Sequence, residues 1–231
     1  MKLEIGEPPA GAPNSVAERI ERMRESIAAE ARALGRDPSG VVLVGVTKKQ
    51  TYQRVCEALA AGLSDVGENY VQEAREKFAA LPAVRKHFIG HIQTNKAKAI
   101  VEIFDVVQSI DRLEAGLAIA RAQRTSGKRV RALIQINVSP VERFGITAEQ
   151  APELARRLRE DEGLDVDGVM AIGPVTADPG VTREAFETAA RVFERVGGTT
   201  LSLGMSGDWR EALAAGSTML RLGTALFGAR V

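Results

Sequence analysis

Val41-Val42-Leu43-Val44-Gly45-Val46-Thr47-Lys48 is the stretch that decides the fold. Six apolar or small residues in succession describe a strand buried on both faces, as strands of parallel sheets are. The run then stops on a lysine, where such a strand leaves the core. An ammonium held there is partly desolvated. Desolvation favours the neutral amine, and a neutral amine attacks an aldehyde to make a Schiff base. Taken alone, a lysine at a strand end more often reaches into water than reacts.

Outward from this strand, strand-like and helix-like segments alternate. Strands are expected at 41–46, 65–66, 87–89, 104–108, 131–137, 166–171, 200–203 and 219–222. Helical patterns are expected at about 51–61, 70–80, 94–101, 112–126, 148–161, 182–196 and 209–215. Before the first strand, Ser15-Val16-Ala17-Glu18 has the form of a capping box and starts an amphipathic helix to about Leu34. Alternation of this kind implies parallel strands joined by right-handed crossovers. Eight units predict an α/β fold, a (β/α)₈ TIM barrel with an extra N-terminal helix. An open doubly wound sheet is the competing arrangement, and the weak second strand is where the count could fail. Residues 1–14, rich in Pro, Gly and Ala, are expected to be a flexible tail. Residues 15–231 are then one domain.

Composition narrows the function classes. A net charge of +1 gives no field favouring nucleic acid or a membrane surface. No apolar run has the length of a membrane span, and the N-terminus lacks the apolar core of a signal peptide. A single cysteine, Cys56, excludes an intramolecular disulfide framework and suits the cytoplasm. Eight lysines stand against 23 arginines, and no lysine follows Lys128. A lysine amine used in chemistry must come from the first 128 residues.

Barrel chemistry sits at the C-terminal ends of the strands. Those positions carry Lys48, then Glu68-Asn69-Tyr70, His91, Ser109 and Asp111, Asn137 and Ser139, Met170, Ser206-Gly207-Asp208, and Gly223-Thr224. The last two are small-residue turns leading into helices, where backbone N–H groups can approach an anion. Loops after strands 7 and 8 are the usual phosphate site of barrels. Strands 1 and 8 are neighbours in a closed barrel, so Lys48 and this phosphate cup can share one ligand. An aldehyde that also carries a phosphate is therefore expected, either pyridoxal 5′-phosphate or a phosphorylated sugar aldehyde.

His87 and His91 have the i, i+4 spacing of a metal pair on a helix. Their segment reads as a strand, where four residues span roughly 13 Å at about 3.3 Å each, too far for one ion. No metal site is expected, and Cys56 reads as a packed thiol.

Four motifs occur in order: Gly67-Glu68-Asn69-Tyr70-Val71-Gln72-Glu73; His87-Phe88-Ile89-Gly90-His91-Ile92-Gln93-Thr94-Asn95-Lys96; Leu203-Gly204-Met205-Ser206-Gly207-Asp208; and Gly216 through Arg230, with Arg221-Leu222-Gly223-Thr224 at its centre. On these motifs the chain resembles the YggS/PROSC group of pyridoxal-phosphate-binding proteins, the pyridoxal phosphate homeostasis proteins. The resemblance implies a barrel like that of alanine racemase, with pyridoxal 5′-phosphate held as a Schiff base on Lys48. It implies that Ser206, Gly207, Gly223 and Thr224 hold the phosphate and that Arg221 faces the pyridine nitrogen. Asn69 and His91 would line the pocket, with Met170 near the ring. An arginine at the ring nitrogen keeps it unprotonated and makes the ring a poor electron sink.

This chain departs from the family pattern in three places. Lys49-Gln50-Thr51 lacks the proline that often follows the cofactor lysine. Lys86 stands where many members have Trp. Glu142-Arg143-Phe144-Gly145 replaces a lysine-bearing loop after strand 5, and Arg143 cannot form a Schiff base.

The expected role is a non-catalytic carrier that holds, buffers or delivers the cofactor to pyridoxal-phosphate-dependent apoenzymes, as a monomer in the cytoplasm. An amino-acid racemase is the first alternative, but it needs a second base opposite the lysine. The chain's only tyrosines are Tyr52 and Tyr70. A Schiff-base aldolase barrel is the second.

Overall fold

The computed structural model describes residues 15–228 apart from 82, 140, 142 and 177. The expected tail at 1–14 and Glu142 of the strand-5 loop lie outside the described residues. Eight strands are present: β1 Val42–Val46, β2 Asp65–Glu68, β3 Arg85–Phe88, β4 Val106–Ile110, β5 Arg131–Ile136, β6 Asp165–Ala171, β7 Thr200–Ser202 and β8 Met219–Leu222. Each pairs in parallel with the next, and β8 pairs with β1. That closing contact excludes the open sheet and makes the fold a TIM barrel.

The helices are α1 Val16–Ala33, α2 Tyr52–Ala60, α3 Val71–Phe78, α4 Ala97–Ile103, α5 Leu113–Ser126, α6 Ala151–Glu160, α7 Pro179–Val196, α8 Trp209–Ala214 and α9 Thr224–Phe227. Ser15 and Glu18 form the expected capping box on α1. Boundaries shift where local chemistry competes with periodicity. Helix α7 starts at Pro179 rather than 182, because the Asp178 side chain accepts from Gly180 N–H and proline suits the first helical turn. The segment 94–101 divides into a 3₁₀ turn, Thr94–Lys96, and α4.

Strand β2 reads weakly because two of its four residues are acids. Asp65 and Glu68 are nonetheless buried, each against a basic partner. Two interiors result. Between sheet and helices lies an apolar core that includes Ile20, Phe78, Phe88, Phe104, Ile119 and Phe186. Inside the barrel, the alternate side chains are mixed: Val44, Val106, Leu133, Met170 and Met219 share the lumen with Asp65, His87, Gln108, Ser202 and Arg221. Among the described residues, no helix is long and apolar enough to cross a membrane.

Candidate functional site at the C-terminal mouth of the barrel

Lys48 stands two residues past β1 and is partly buried. The main chain on both sides of it is gripped. Thr47 N–H donates to Gly67 O at 2.8 Å. Thr47 Oγ1 donates to Glu68 Oε2 at 2.9 Å. The Lys77 ammonium donates to Thr47 O at 2.7 Å, to Glu68 Oε2 at 2.9 Å and to Glu73 Oε2 at 3.2 Å. Lys49 N–H donates to Glu73 Oε2 at 2.9 Å. Burial raises the Glu73 pKa, but the Lys49 N–H and the Lys77 charge outweigh it and hold the carboxyl below its usual range. Lys49 has φ 59°, and among the described residues it is the one non-glycine with positive φ. That left-handed backbone costs about 1–2 kcal/mol and persists because the surrounding bonds impose it.

Closure brings the last two loops to this lysine. Val44 pairs with Arg221 and Gly45 with Leu222, so the chain beyond β8 runs beside the end of β1. A Cβ on Gly223 would lie 3.8 Å from Val46 Cβ. The β7 loop turns at Gly204, φ 88°, and its Ser206 Oγ accepts from Ala225 N–H at 3.1 Å. Ser206, Gly207, Gly223 and Thr224 are thus gathered at one edge of the mouth. Helix α9 has only four residues, so donors here are individual N–H and O–H groups rather than a long helix dipole.

Arg221 points into the lumen and is 4% exposed. Its Nη1 donates to Ser202 Oγ at 2.6 Å and its Nη2 to Ala171 O at 2.8 Å. Burial lowers its pKa to about 10 despite the opposing pull of Asp208, so it remains a cation at neutral pH. Met170 is buried on β6 at the register of Ser202.

Asn69 and His91 line a cleft of about 680 Å³ that runs between α3 and α4, with Arg75 on one side and Lys98 and Glu102 on the other; Lys48, Arg221, Ser206 and Thr224 do not line it. Asn69 Oδ1 is the one buried side-chain polar atom among the described residues without a hydrogen-bond partner. His91 does not stand free: its ring stacks on Phe144 at 4.1 Å between centroids, and its Nδ1 lies 3.4 Å from Asp111 Oδ2. His87 faces the lumen, with Nε2 2.9 Å from Asp65 and Nδ1 2.8 Å from Gln108. The two histidines therefore serve different surroundings, as the strand spacing requires.

The structure places every residue expected to bind the cofactor at the ends of β1, β2, β3, β6, β7 and β8, or in the lumen just below. Sequence reasoning missed Glu73 and Lys77, although their i, i+4 spacing on a helix was visible. It also missed Gln108 and Ser202, whose signal was a polar residue at a lumen position of an apolar strand, and Phe144, which carried none.

A model of the alanine racemase N-terminal domain matches residues 20–231. The chain belongs to the alanine racemase N-terminal domain family. It is 40% identical to the pyridoxal phosphate homeostasis protein of Pseudomonas aeruginosa, over 94% of this chain and 96% of that one. It is 36% identical to the protein of the same name from Escherichia coli K12, over 94% and 97%. Among solved structures it resembles PipY of Synechococcus elongatus PCC7942 with PLP bound, with TM-score 0.81, 30% identity, and coverage of 93% of this chain and 100% of that one. The resemblance read from the four motifs is borne out, and within this family the chain groups with the pyridoxal phosphate homeostasis proteins.

Proposed function

We propose that this chain binds pyridoxal 5′-phosphate at the barrel mouth, as a Schiff base on Lys48, and acts in intracellular homeostasis of that cofactor. The carrying observation is the closure of β8 onto β1, which sets the Ser206, Gly223 and Thr224 donors beside the segment bearing Lys48. Two further features fit the ligand. Arg221 is a buried cation that donates to two neutral oxygens, Ser202 Oγ and Ala171 O, which leaves a guanidinium suited to an acceptor nitrogen of a ring. Asn69 Oδ1 is a buried acceptor awaiting a donor. PipY, which this chain covers in full, has been solved with PLP bound.

When bound, the cofactor supplies an aldehyde carbon and an electron-accepting ring. Lys48 supplies the amine, and Ser206, Gly207, Gly223 and Thr224 the phosphate donors. Met170 would pack near the ring, and Asn69 and His91 would line the pocket. Arg221 can only donate, so it leaves the ring nitrogen unprotonated and weakens carbanion chemistry. The tyrosines supply no base opposite Lys48 in this reading: Tyr52 donates to Ala80 O, and Tyr70 is 55% exposed at the head of α3. The role is therefore to hold and release the cofactor rather than turn over amino acids, in a monomeric, cytoplasmic, single-domain protein that serves apoenzymes.

The test is spectroscopic. Protein incubated with pyridoxal phosphate is expected to be yellow, and borohydride is expected to fix the cofactor on Lys48. Lys48→Ala should lose the covalent product and keep weak phosphate-anchored binding. No covalent product in the parent protein overturns the proposal, and racemisation of alanine or serine at enzyme-like rates overturns the carrier role.

A further inference from the structure

Five side chains from five strands join end to end through the lumen. Arg221 Nη1 on β8 donates to Ser202 Oγ on β7 at 2.6 Å. Ser202 Oγ donates to Gln108 Oε1 on β4 at 2.7 Å. Gln108 Nε2 meets His87 Nδ1 on β3 at 2.8 Å, and His87 Nε2 meets Asp65 Oδ1 on β2 at 2.9 Å. All five are buried, none more than 4% exposed.

The chemistry of the two ends fixes the sense of every link. Arg221 has only donors, so Ser202 must accept from it and pass its own proton onward. The Gln108 carbonyl accepts that proton, which turns the amide NH₂ toward His87. His87 Nδ1 must then be the bare nitrogen, and Nε2–H donates to the Asp65 carboxylate. The order is cation, three neutral groups, anion, with every donor pointing the same way. Burial lowers the His87 pKa, outweighing Asp65 and Asp105, while the nearby Arg85 charge acts with burial. This agrees with a neutral ring. Asp65 is held ionised: burial raises its pKa, but bonds to His87 and Ser64 and the charge of Arg85 overcome it.

We propose that Asp65, His87, Gln108 and Ser202 are positioning residues that lock the Arg221 guanidinium as a donor toward the bound ring, with Asp65 as the acceptor that ends the chain. This rests on the ligand reading above. No proton need travel along the chain. Its effect is geometric: reversing one link forces the next to reverse, until Ser202 can no longer accept from Arg221.

Two measurements test it. The protein has two histidines, so nitrogen NMR of histidine-labelled protein, assigned with a His91→Gln variant, reads His87 directly without any cofactor. The neutral, Nε2-protonated tautomer is expected near neutral pH, and an Nδ1-protonated or doubly protonated ring overturns the proposal. The second compares His87→Gln with His87→Leu. A glutamine can accept from Gln108 and donate to Asp65, keeping the direction, whereas leucine cannot. His87→Gln should bind pyridoxal phosphate within about twofold of the parent, and His87→Leu about tenfold more weakly, with a shifted pH midpoint of the visible band. Ser202→Ala, which removes the link touching Arg221, should behave like His87→Leu and serves if that variant does not fold. Equal affinity and equal pH profiles for Gln, Leu and Ala variants overturn the proposal while leaving cofactor binding intact. Loss of the Lys48 product from the parent protein defeats the ligand reading instead.

Discussion

The ammonium nitrogen of Lys77 lies 2.7 Å from the carbonyl oxygen of Thr47, the residue before Lys48. A second lysine thus holds the main chain of the first. The same ammonium neutralises Glu68, which is fully buried, and Glu73, whose carboxylate takes the N–H of Lys49. Lys48 therefore projects from a segment clamped before and after it, so its position does not depend on its own side-chain contacts.

Replacing Lys77 tests that clamp. Lys77→Met leaves Glu68 buried without its cation, and breaking such a pair typically costs about 3–5 kcal/mol. Urea denaturation should show a loss of that order. In the fraction that remains folded, the borohydride-fixed yield on Lys48 should fall at subsaturating pyridoxal phosphate. An unchanged yield together with unchanged stability would mean that the clamp does nothing.

Gly90 tests how closely the ends of β2 and β3 approach. A Cβ there would sit 1.9 Å from Asn69 O, a backbone atom that cannot turn away. Gly90→Ala should cost at least the upper end of the roughly 1–3 kcal/mol typical of overpacking. It should also displace Asn69, so thermal melting and cofactor affinity are expected to worsen together.

Phe144 tests the mouth itself. It is 63% exposed yet stacks on His91, and its carbonyl accepts from Gln135 Nε2 at 3.0 Å. Phe144→Ala removes the ring but leaves that main-chain bond available. Stability should change by no more than about 0.5 kcal/mol, as for other surface changes. Release of pyridoxal phosphate to a hydrazine trap should be several-fold faster.

Stability should fall with acid in two stages. Burial lowers the His87 pKa below the 6.5 of an ordinary histidine, so below about that pH the unfolded chain binds a proton that the folded chain does not. Stability then drops by up to about 1.4 kcal/mol per pH unit until the folded pKa is reached. The depressed Asp65 pKa adds stability that is present above about 3.9 and is lost as pH falls through its folded value. Denaturant titrations at several pH values should show both stages, and His87→Gln should abolish only the first.

Much of this was legible in the chain itself. The run from Val41 to Val46, the seven further strand patterns and the intervening helices determine a βα repeat, because burial periodicity is local and needs no partner to be read. Position along that repeat singles out Lys48, Ser206 and Thr224 as strand-end groups. The tertiary structure alone decided that Gly223 lies beside Val46, that Lys77 reaches back to Thr47, and that Asp65, His87, Gln108, Ser202 and Arg221 form one chain. Those contacts depend on barrel closure and on the register between strands far apart in sequence. Hydrogen bonds demand placement to a few tenths of an ångström, which no periodicity encodes. In the sequence Gln108 is a polar interruption in Val106-Val107-Gln108-Ser109-Ile110; in the closed barrel it is the middle link between a buried cation and a buried anion.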